Sequence, residues 1–427
     1  MRVKTACFSM ILLVAGCFVP AMPVAVSAEV PHVLVWHGTF GFRHPVIEES
    51  NDILQTMAEE TGAFTVEETM NPLDITAEKL AATDILLWNS TTGKAPFTAE
   101  QREAILRWLS CGGGTIGIHA AADSHYAWPE YAELMGGQFD GHPHGQNGGV
   151  VKMPLEHKRH AVNQALKKEA GKKSFIKLDD ELYNWRITPR RIPGLKVMLA
   201  LDERTVSDEI QEGTNPYEDR QPLAWTNTFR GKGRVYYTNL GHGTDSWHFP
   251  PFQKTVIRAV KWVSKVRPDQ DCLADGDSAI PPSPLKPPVP SPNDAVEACK
   301  VPKEGPPGNG ATNPPARLTE DGDSLTMPGA GVPGGLGWSR QPYVLDLSGS
   351  GSQTAEVTLD LSWTAPTDDY DLSVTTPWGW AGSDATAGAE QVVLEDVPHC
   401  TEFMVFAENS VAISQQSPDL TVAVAPE

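Results

Sequence analysis

The chain has 427 residues, 40% hydrophobic and 21% charged, with 12 Trp, 13 Phe and 8 Tyr. That is too long for one ordinary domain, too polar for an integral membrane protein, and too aromatic to be disordered throughout. A formal charge of −20 denies it the broad positive field that nucleic acid or an anionic membrane surface would require. The charge is unevenly placed: residues 301–427 carry 18 acidic and 3 basic side chains, so two parts of different character share the chain.

Residues 1–28 read as an export signal. Basic Arg2 and Lys4 precede an apolar core around Phe8 to Val14, and Val26-Ser27-Ala28 offers a small-x-small cleavage site. The segment Leu13-Val14-Ala15-Gly16-Cys17 also fits lipoprotein processing, with a lipid on Cys17. The apolar stretch Phe18 to Val26, where a polar tether is usual, favours simple cleavage after Ala28. On either reading the chain is exported to the periplasm, cell surface or medium. No other run approaches the roughly 20 apolar residues of a membrane span.

Cys111, Cys272, Cys299 and Cys400 then remain, an even number in an oxidising compartment. Three pairings are open. Cys111–Cys272 with Cys299–Cys400 staples each domain and is favoured; Cys272–Cys299 would instead close the linker between them. The absence of a CxxC motif leaves a zinc cluster or dithiol redox site without support.

Residues 29–266 alternate short apolar strands with helices. Val33–Trp36, Ile85–Trp88 and Thr115–Ile118 are continuous apolar runs, the pattern of strands buried on both faces. A helix begins at Thr98, with Gln101 as the capping-box partner and Ile105, Leu106 and Leu109 as its inner stripe; Gly112–Gly114 end it. Val197–Leu201, Leu223–Thr226 and Arg234–Asn239 read as further strands, and a last helix spans about 252–266. This order predicts an α/β domain with a mostly parallel sheet flanked by helices.

Residues 267–335 read as a Pro/Gly-rich linker, extended and poorly packed unless cysteines pin it. In residues 336–427 the period changes to two. Val357, Leu359, Leu361 and Trp363 alternate with polar residues, and further short strands follow, which predicts an all-β sandwich.

Eleven of the twelve histidines lie between His32 and His248. Three of them follow strands, as His37, His119 and His242, and Asn89 follows another. The carboxyl ends of parallel strands line the ligand crevice of an open sheet, so imidazole and amide groups converge at one edge.

The segments Thr39-Phe40-Gly41-Phe42-Arg43-His44, His119 to Asp123, Gly136 to Pro143, Asp180-Glu181-Leu182-Tyr183 and Leu240-Gly241-His242 resemble, in register, the ThuA-like (trehalose utilisation) family over about residues 31–265. The resemblance implies a class I glutamine amidotransferase-like, flavodoxin-like fold and a link to the metabolism of trehalose and keto-disaccharides. Related folds carry a nucleophilic cysteine after a central strand. Here that strand ends in His119, and Cys111 precedes it at the opposite end, so cysteine hydrolysis is not expected. Thr367 to Val374 with Trp378-Gly379 resembles the PPC-like β-sandwich domains that accompany secreted enzymes.

The expected catalytic set is His119, Asp123, Glu181 and His242. Two roles are open to Asp123: orienting His119, or capping the helix that follows. Arg43, His44, Asn89 and His142 are expected to contact substrate, and Tyr183, Trp185 and Trp225 to offer flat faces to sugar rings, core packing being the alternative for each aromatic. His142 and His144, with His119, Glu181 or His242, form a candidate divalent-metal set that spacing alone does not assign. Asp368, Asp369 and Asp371 are a candidate Ca²⁺ cluster, a solvated acidic turn being the alternative. There is no Gly-x-Ser-x-Gly, no Walker loop and no Gly-x-Gly-x-x-Gly after the first strand. The expected function is an acid/base enzyme acting on a glycoside or keto-sugar, as an isomerase, lyase or hydrolase. The alternatives are a non-catalytic carbohydrate-binding protein and a surface-attachment role for the sandwich.

Overall fold

The computed structural model describes residues 30–145, 148–207, 220–275, 280–287, 296, 298–301, 311–327, 337–366, 368–383, 388–411 and 417–427. The export signal read at 1–28, including Cys17, lies outside the described residues.

Seven strands form one sheet in the order Lys196–Ala200, Pro222–Phe229, Gly233–Thr238, Gly114–Ile118, Ile85–Asn89, His32–Trp36, Thr65–Thr69. The last five are mutually parallel. Pro222–Phe229 runs antiparallel to both of its neighbours. Successive residues point to opposite faces: Val33, Val35, Ile85 and Leu87 enter one core, and Leu34, Trp36, Leu86 and Trp88 enter the other. Both faces are covered, which is why these strands are apolar throughout.

The helices Ile47–Thr61 and Pro250–Val263 cover the first face through Leu54, Met57, Val256 and Val260. The helix Ala99–Ser110 covers the second through Ile105, Trp108 and Leu109. Thr98 and Gln101 cap it reciprocally, as their spacing predicts. The sheet is therefore the mostly parallel, helix-flanked one expected.

The C-terminal part is built of two largely antiparallel sheets. One holds Asp323–Thr326, Asp419–Pro426, Thr354–Ser362 and Ala389–Pro398; the other is centred on Gly337–Leu345, Glu402–Val411 and Asp369–Thr376. Val357, Leu359 and Leu361 from the first meet Leu372, Val374 and Val405 from the second in one core.

The stretch read as linker needs correction. Ala311–Thr312 and Ala316–Leu318 pair with Gly337–Leu345, and Asp323–Thr326 pairs with Asp419–Pro426. The sandwich thus begins before residue 336. Its first strands are only two to four residues long, too short to show an alternating pattern among the prolines and glycines. Gln270–Ala274 is helical, held by a disulfide from Cys272 to Cys111, and a second disulfide joins Cys299 to Cys400. The favoured cysteine pairing is the one observed. Two disulfides are compatible with an extracellular location. No described helix is long and apolar enough to cross a membrane.

Among the described residues, ion pairs of Arg186, Arg340 and Lys94 join the sandwich to the α/β part. Arg186 Nη1 lies 2.5 Å from Glu408 Oε1, with its guanidinium over the rings of Phe406 (3.7 Å) and Tyr126 (4.1 Å). Arg340 Nη1 lies 3.1 Å from Asp140 Oδ2. Lys94 Nζ lies 2.7 Å from Asp371 Oδ1 and 3.6 Å from Asp369 Oδ2. This last contact involves Asp369 and Asp371 of the Asp368, Asp369 and Asp371 group. Two of the three carboxylates already face an ammonium group across the junction.

Candidate active site

The central strand Gly114–Ile118 packs tightly: a Cβ on Gly117 would come within 2.8 Å of both Met135 Sδ and Tyr237 Cδ2. Directly after it, His119 adopts φ +48°, a left-handed conformation that costs a residue with a Cβ free energy and tends to mark functional positions. The ring is wholly buried. Its Nδ1 lies 2.7 Å from the carbonyl of Asn239, and an acceptor at that distance fixes the proton on Nδ1. The Tyr237 hydroxyl donates to the His119 carbonyl at 2.6 Å. Both supports come from the neighbouring parallel strand and the turn after it.

Nε2 of His119 faces a crowd. The Tyr183 hydroxyl is 2.9 Å away, His242 Nδ1 3.0 Å and Glu181 Oε2 3.3 Å. His242 Nδ1 is also 3.1 Å from Glu181 Oε2, while His142 Nδ1 approaches Glu181 Oε1 at 3.5 Å. The His44 ring stands edge-on to His119 and His242, with centroids 4.9 and 5.1 Å away. One ligand-type atom from each of His44, His119, Glu181 and His242 lies within 4.8 Å of the others.

Electrostatics follow from this packing. Burial opposes ionisation of Glu181, yet hydrogen bonds from His119 and His242 outweigh it and hold the carboxyl below the usual range. Burial likewise opposes charge on His242, but the Glu181 carboxylate raises its pKa. Burial, reinforced by the neighbouring imidazoles, lowers His44 to about 2, so its ring is neutral. His142 is the accessible member, with 41% of its side chain exposed.

A supporting layer holds these groups. Asp180 Oδ2 accepts from the Gly241 amide at 2.9 Å and from the Ser246 hydroxyl, anchoring the loop that carries His242. Asn239 Oδ1 accepts from the Tyr183 amide at 3.0 Å, tying the two turns together. Asn239 and Asp180 were not singled out in the sequence. Asn239 is a strand-end amide like Asn89, which was a usable signal. Neighbouring Asp180 and Glu181 serve different partners, and the sequence does not say which carboxylate faces the imidazoles.

The structure brings together His44, His119, His142, Glu181, Tyr183 and His242, and places the other expected residues elsewhere. Asp123 bonds the Tyr126 hydroxyl at 2.5 Å, and the group that orients His119 Nδ1 is the Asn239 carbonyl. Arg43 pairs with Glu48 at 2.7 Å and donates to the His37 carbonyl, so it braces its own loop. Asn89 is buried and donates to Ser50 and Asn51 of the flanking helix. His144 is buried, with Nε2 3.1 Å from the Gly149 carbonyl, and is not in the four-residue cluster.

Trp185 and Trp225 offer no face to a sugar. They pack on each other at 5.1 Å, and their indole N–H groups donate to Pro222 and Met135 carbonyls. Trp225 has no exposed surface, and the Tyr183 ring is buried apart from its contact with His119. An aromatic pattern in sequence does not separate core rings from ligand platforms. An exposed ring beside the cluster is Phe42, 61% exposed, which stands edge-on to His44 at 5.0 Å.

The family model described as ThuA, trehalose utilisation, matches residues 32–263, more than half of the chain and all five segments that build this site. The chain belongs to the ThuA family. Membership links it to carbohydrate metabolism. Among solved structures, the ThuA segment is similar to a ThuA-like protein of Bacteroides uniformis ATCC 8492, with 21% identity and a TM-score of 0.44, covering 57% of this chain and 98% of that one. It is also similar to a ThuA-like protein of Parabacteroides merdae ATCC 43184, with 19% identity and a TM-score of 0.43, covering 55% and 90%. No curated protein matches the chain.

Proposed function

We propose that this ThuA family member is an exported enzyme that converts a glycoside or keto-sugar at the His44–His119–Glu181–His242 cluster. The observation that carries this reading is the convergence of three imidazoles and one carboxylate, buried or nearly so, at the carboxyl edge of a parallel sheet. Burying such groups together costs free energy, and clusters of this kind are concentrated at functional sites. Chemistry next to a sugar carbonyl needs charge stabilisation at the oxygen and a base for the adjacent C–H proton. The buried cluster supplies the first, and His142, exposed at its mouth, is placed for the second. Returning the proton to the neighbouring carbon gives isomerisation; expelling a substituent gives elimination.

A cysteine mechanism lacks a nucleophile here. Cys111 is bonded to Cys272, and it precedes the strand whose far end carries His119. The sandwich serves in this reading as a buttress for the site. Its buried contacts fall on Asp140 and Arg186, in and immediately after the strands Phe139–His144 and Leu182–Trp185 that hold His142 and Tyr183.

Proton NMR in D₂O with trehalose-type and 3-keto glycosides tests the proposal, beside His119→Ala and Glu181→Gln. Deuterium entering next to the ketone, or product formation, abolished in both variants is the expected result. Line broadening without exchange or product would make the chain a carbohydrate-binding protein.

A further inference from the structure

The crowding at His119 Nε2 has a specific chemical meaning. A neutral imidazole with its proton on Nδ1 presents one lone pair at Nε2, directed along one line in the ring plane. Three polar atoms stand within 3.3 Å of that nitrogen, and one of them is a carboxylate oxygen with no proton to give. One lone pair cannot satisfy all three. Groups of this kind approach one another when a cation belongs between them.

We infer that His44, His119, Glu181 and His242 form a binding site for one divalent transition-metal ion of the zinc class. The distances support this directly. Tetrahedral zinc with bonds of about 2.1 Å separates its ligand atoms by about 3.4 Å. His119 Nε2, His242 Nδ1 and Glu181 Oε2 form a triangle with edges of 3.0, 3.1 and 3.3 Å. His44 supplies the fourth side, and its Nδ1 is buried without a hydrogen-bond partner among the described residues.

The charge balance and the donor type agree. Glu181 forms its ion pairs with His119, His142 and His242, and no lysine or arginine pairs with it among the described residues. Glu181 is largely buried, and a divalent ion between it and the imidazoles would balance its negative charge. A donor set of three nitrogens and one oxygen suits zinc and its neighbours, whereas Mg²⁺ and Ca²⁺ prefer all-oxygen sites. The outer layer is also of the kind that orients ligands: the Asn239 carbonyl fixes the His119 tautomer, and Asp180 anchors the loop of His242. A cation at this position displaces the Tyr183 hydroxyl from Nε2. Cys299, His399 and Cys400 also lie close together, but the two cysteines are bonded to each other and cannot act as thiolates.

This inference rests on the same cluster as the proposed function but can fail separately from it. The untagged full chain, stripped with chelator, is titrated with ZnCl₂ by calorimetry, and a Co²⁺ titration is followed by visible absorption. The expected result is one equivalent of Zn²⁺ and tetrahedral Co²⁺ bands. Binding should weaken at least 100-fold in His44→Ala and in the near-isosteric Glu181→Gln, and stay unchanged in His248→Ala, with thermal melts confirming that each variant is folded. Wild-type chain that binds no Zn²⁺, or variants that bind it equally well, would overturn the site. Sugar turnover by chain that binds no Zn²⁺ overturns the metal site but leaves the enzyme reading intact. Metal binding without turnover on any sugar does the reverse.

Discussion

Arg186 and Glu408 meet at 2.5 Å across the junction between the α/β sheet and the sandwich, and the Arg186 side chain is completely buried there. Burial raises the Glu408 pKa even with that guanidinium beside it, so the pair is held in a costly environment by its mutual fit. Removing one partner strands the other. Arg186→Ala is expected to destabilise the chain by about 3–5 kcal/mol in urea titrations, while Arg186→Met with Glu408→Leu recovers most of that loss. A cost below about 1 kcal/mol for the single variant would mean the junction opens readily to water.

Asp123 carries a pH-dependent penalty. Burial lifts its carboxyl from 3.8 to about 7, although the Tyr126 hydroxyl bond works the other way. The folded chain therefore retains a proton that the unfolded chain releases. Stability contributed by this group is present below about pH 4 and is lost as pH rises through about 7. Asp123→Asn keeps an acceptor for Tyr126 and removes the ionisation. Its melting temperature should exceed that of the wild type at pH 8 and converge with it near pH 4; a difference independent of pH would contradict the assignment.

Much of the α/β fold was legible because both faces of its strands are covered. Ile85–Trp88 and Thr115–Ile118 announce themselves as apolar runs, and Thr98 with Gln101 fixes a helix start to the residue. His119 and His242, which follow strands, lie together in the cluster. Asn89 and His37 follow equivalent strands but are engaged by local partners, Asn89 by Ser50 and Asn51, His37 by Glu68 and the Arg43 loop. Arg43, Trp185 and Trp225 were misread for one reason: side-chain partners distant in sequence or hidden in a loop decide whether a polar or aromatic group is free. The short strands between residues 311 and 326 were lost among prolines, where no period can form.

Phe42, unlike Trp185 and Trp225, presents an exposed ring next to the cluster. Its ring is exposed beside His44 and forms part of no core cluster. Phe42→Ala should raise KM for the sugar about five- to tenfold, roughly 1–1.5 kcal/mol of stacking, with kcat changed less than twofold. Steady-state kinetics, or calorimetric binding if turnover is absent, separates this from a loop-folding effect, which would lower kcat as well.

The disulfide between Cys111 and Cys272 closes a span of 161 residues. Cys111→Ala with Cys272→Ala is expected to lower unfolding free energy by about 2–4 kcal/mol while leaving the sheet intact, because most of the effect acts on the unfolded chain. Circular dichroism of the folded variant should match the wild type. Loss of native secondary structure at 25 °C would show that the bond also positions the helix Ala99–Ser110.

Asp140 and Arg186 also constrain how this protein can be recombined. The strands around them carry His142 and Tyr183, while Arg340 and Glu408, which neutralise Asp140 and Arg186, come from residues far downstream. A transplant of residues 29–266 onto another carrier would bring along a buried carboxylate and a buried guanidinium without their counterions. The halves of this chain are therefore not interchangeable modules: a chimera that keeps the paired strands Phe139–His144 and Leu182–Trp185 must either inherit Arg340 and Glu408 or replace all four charges together.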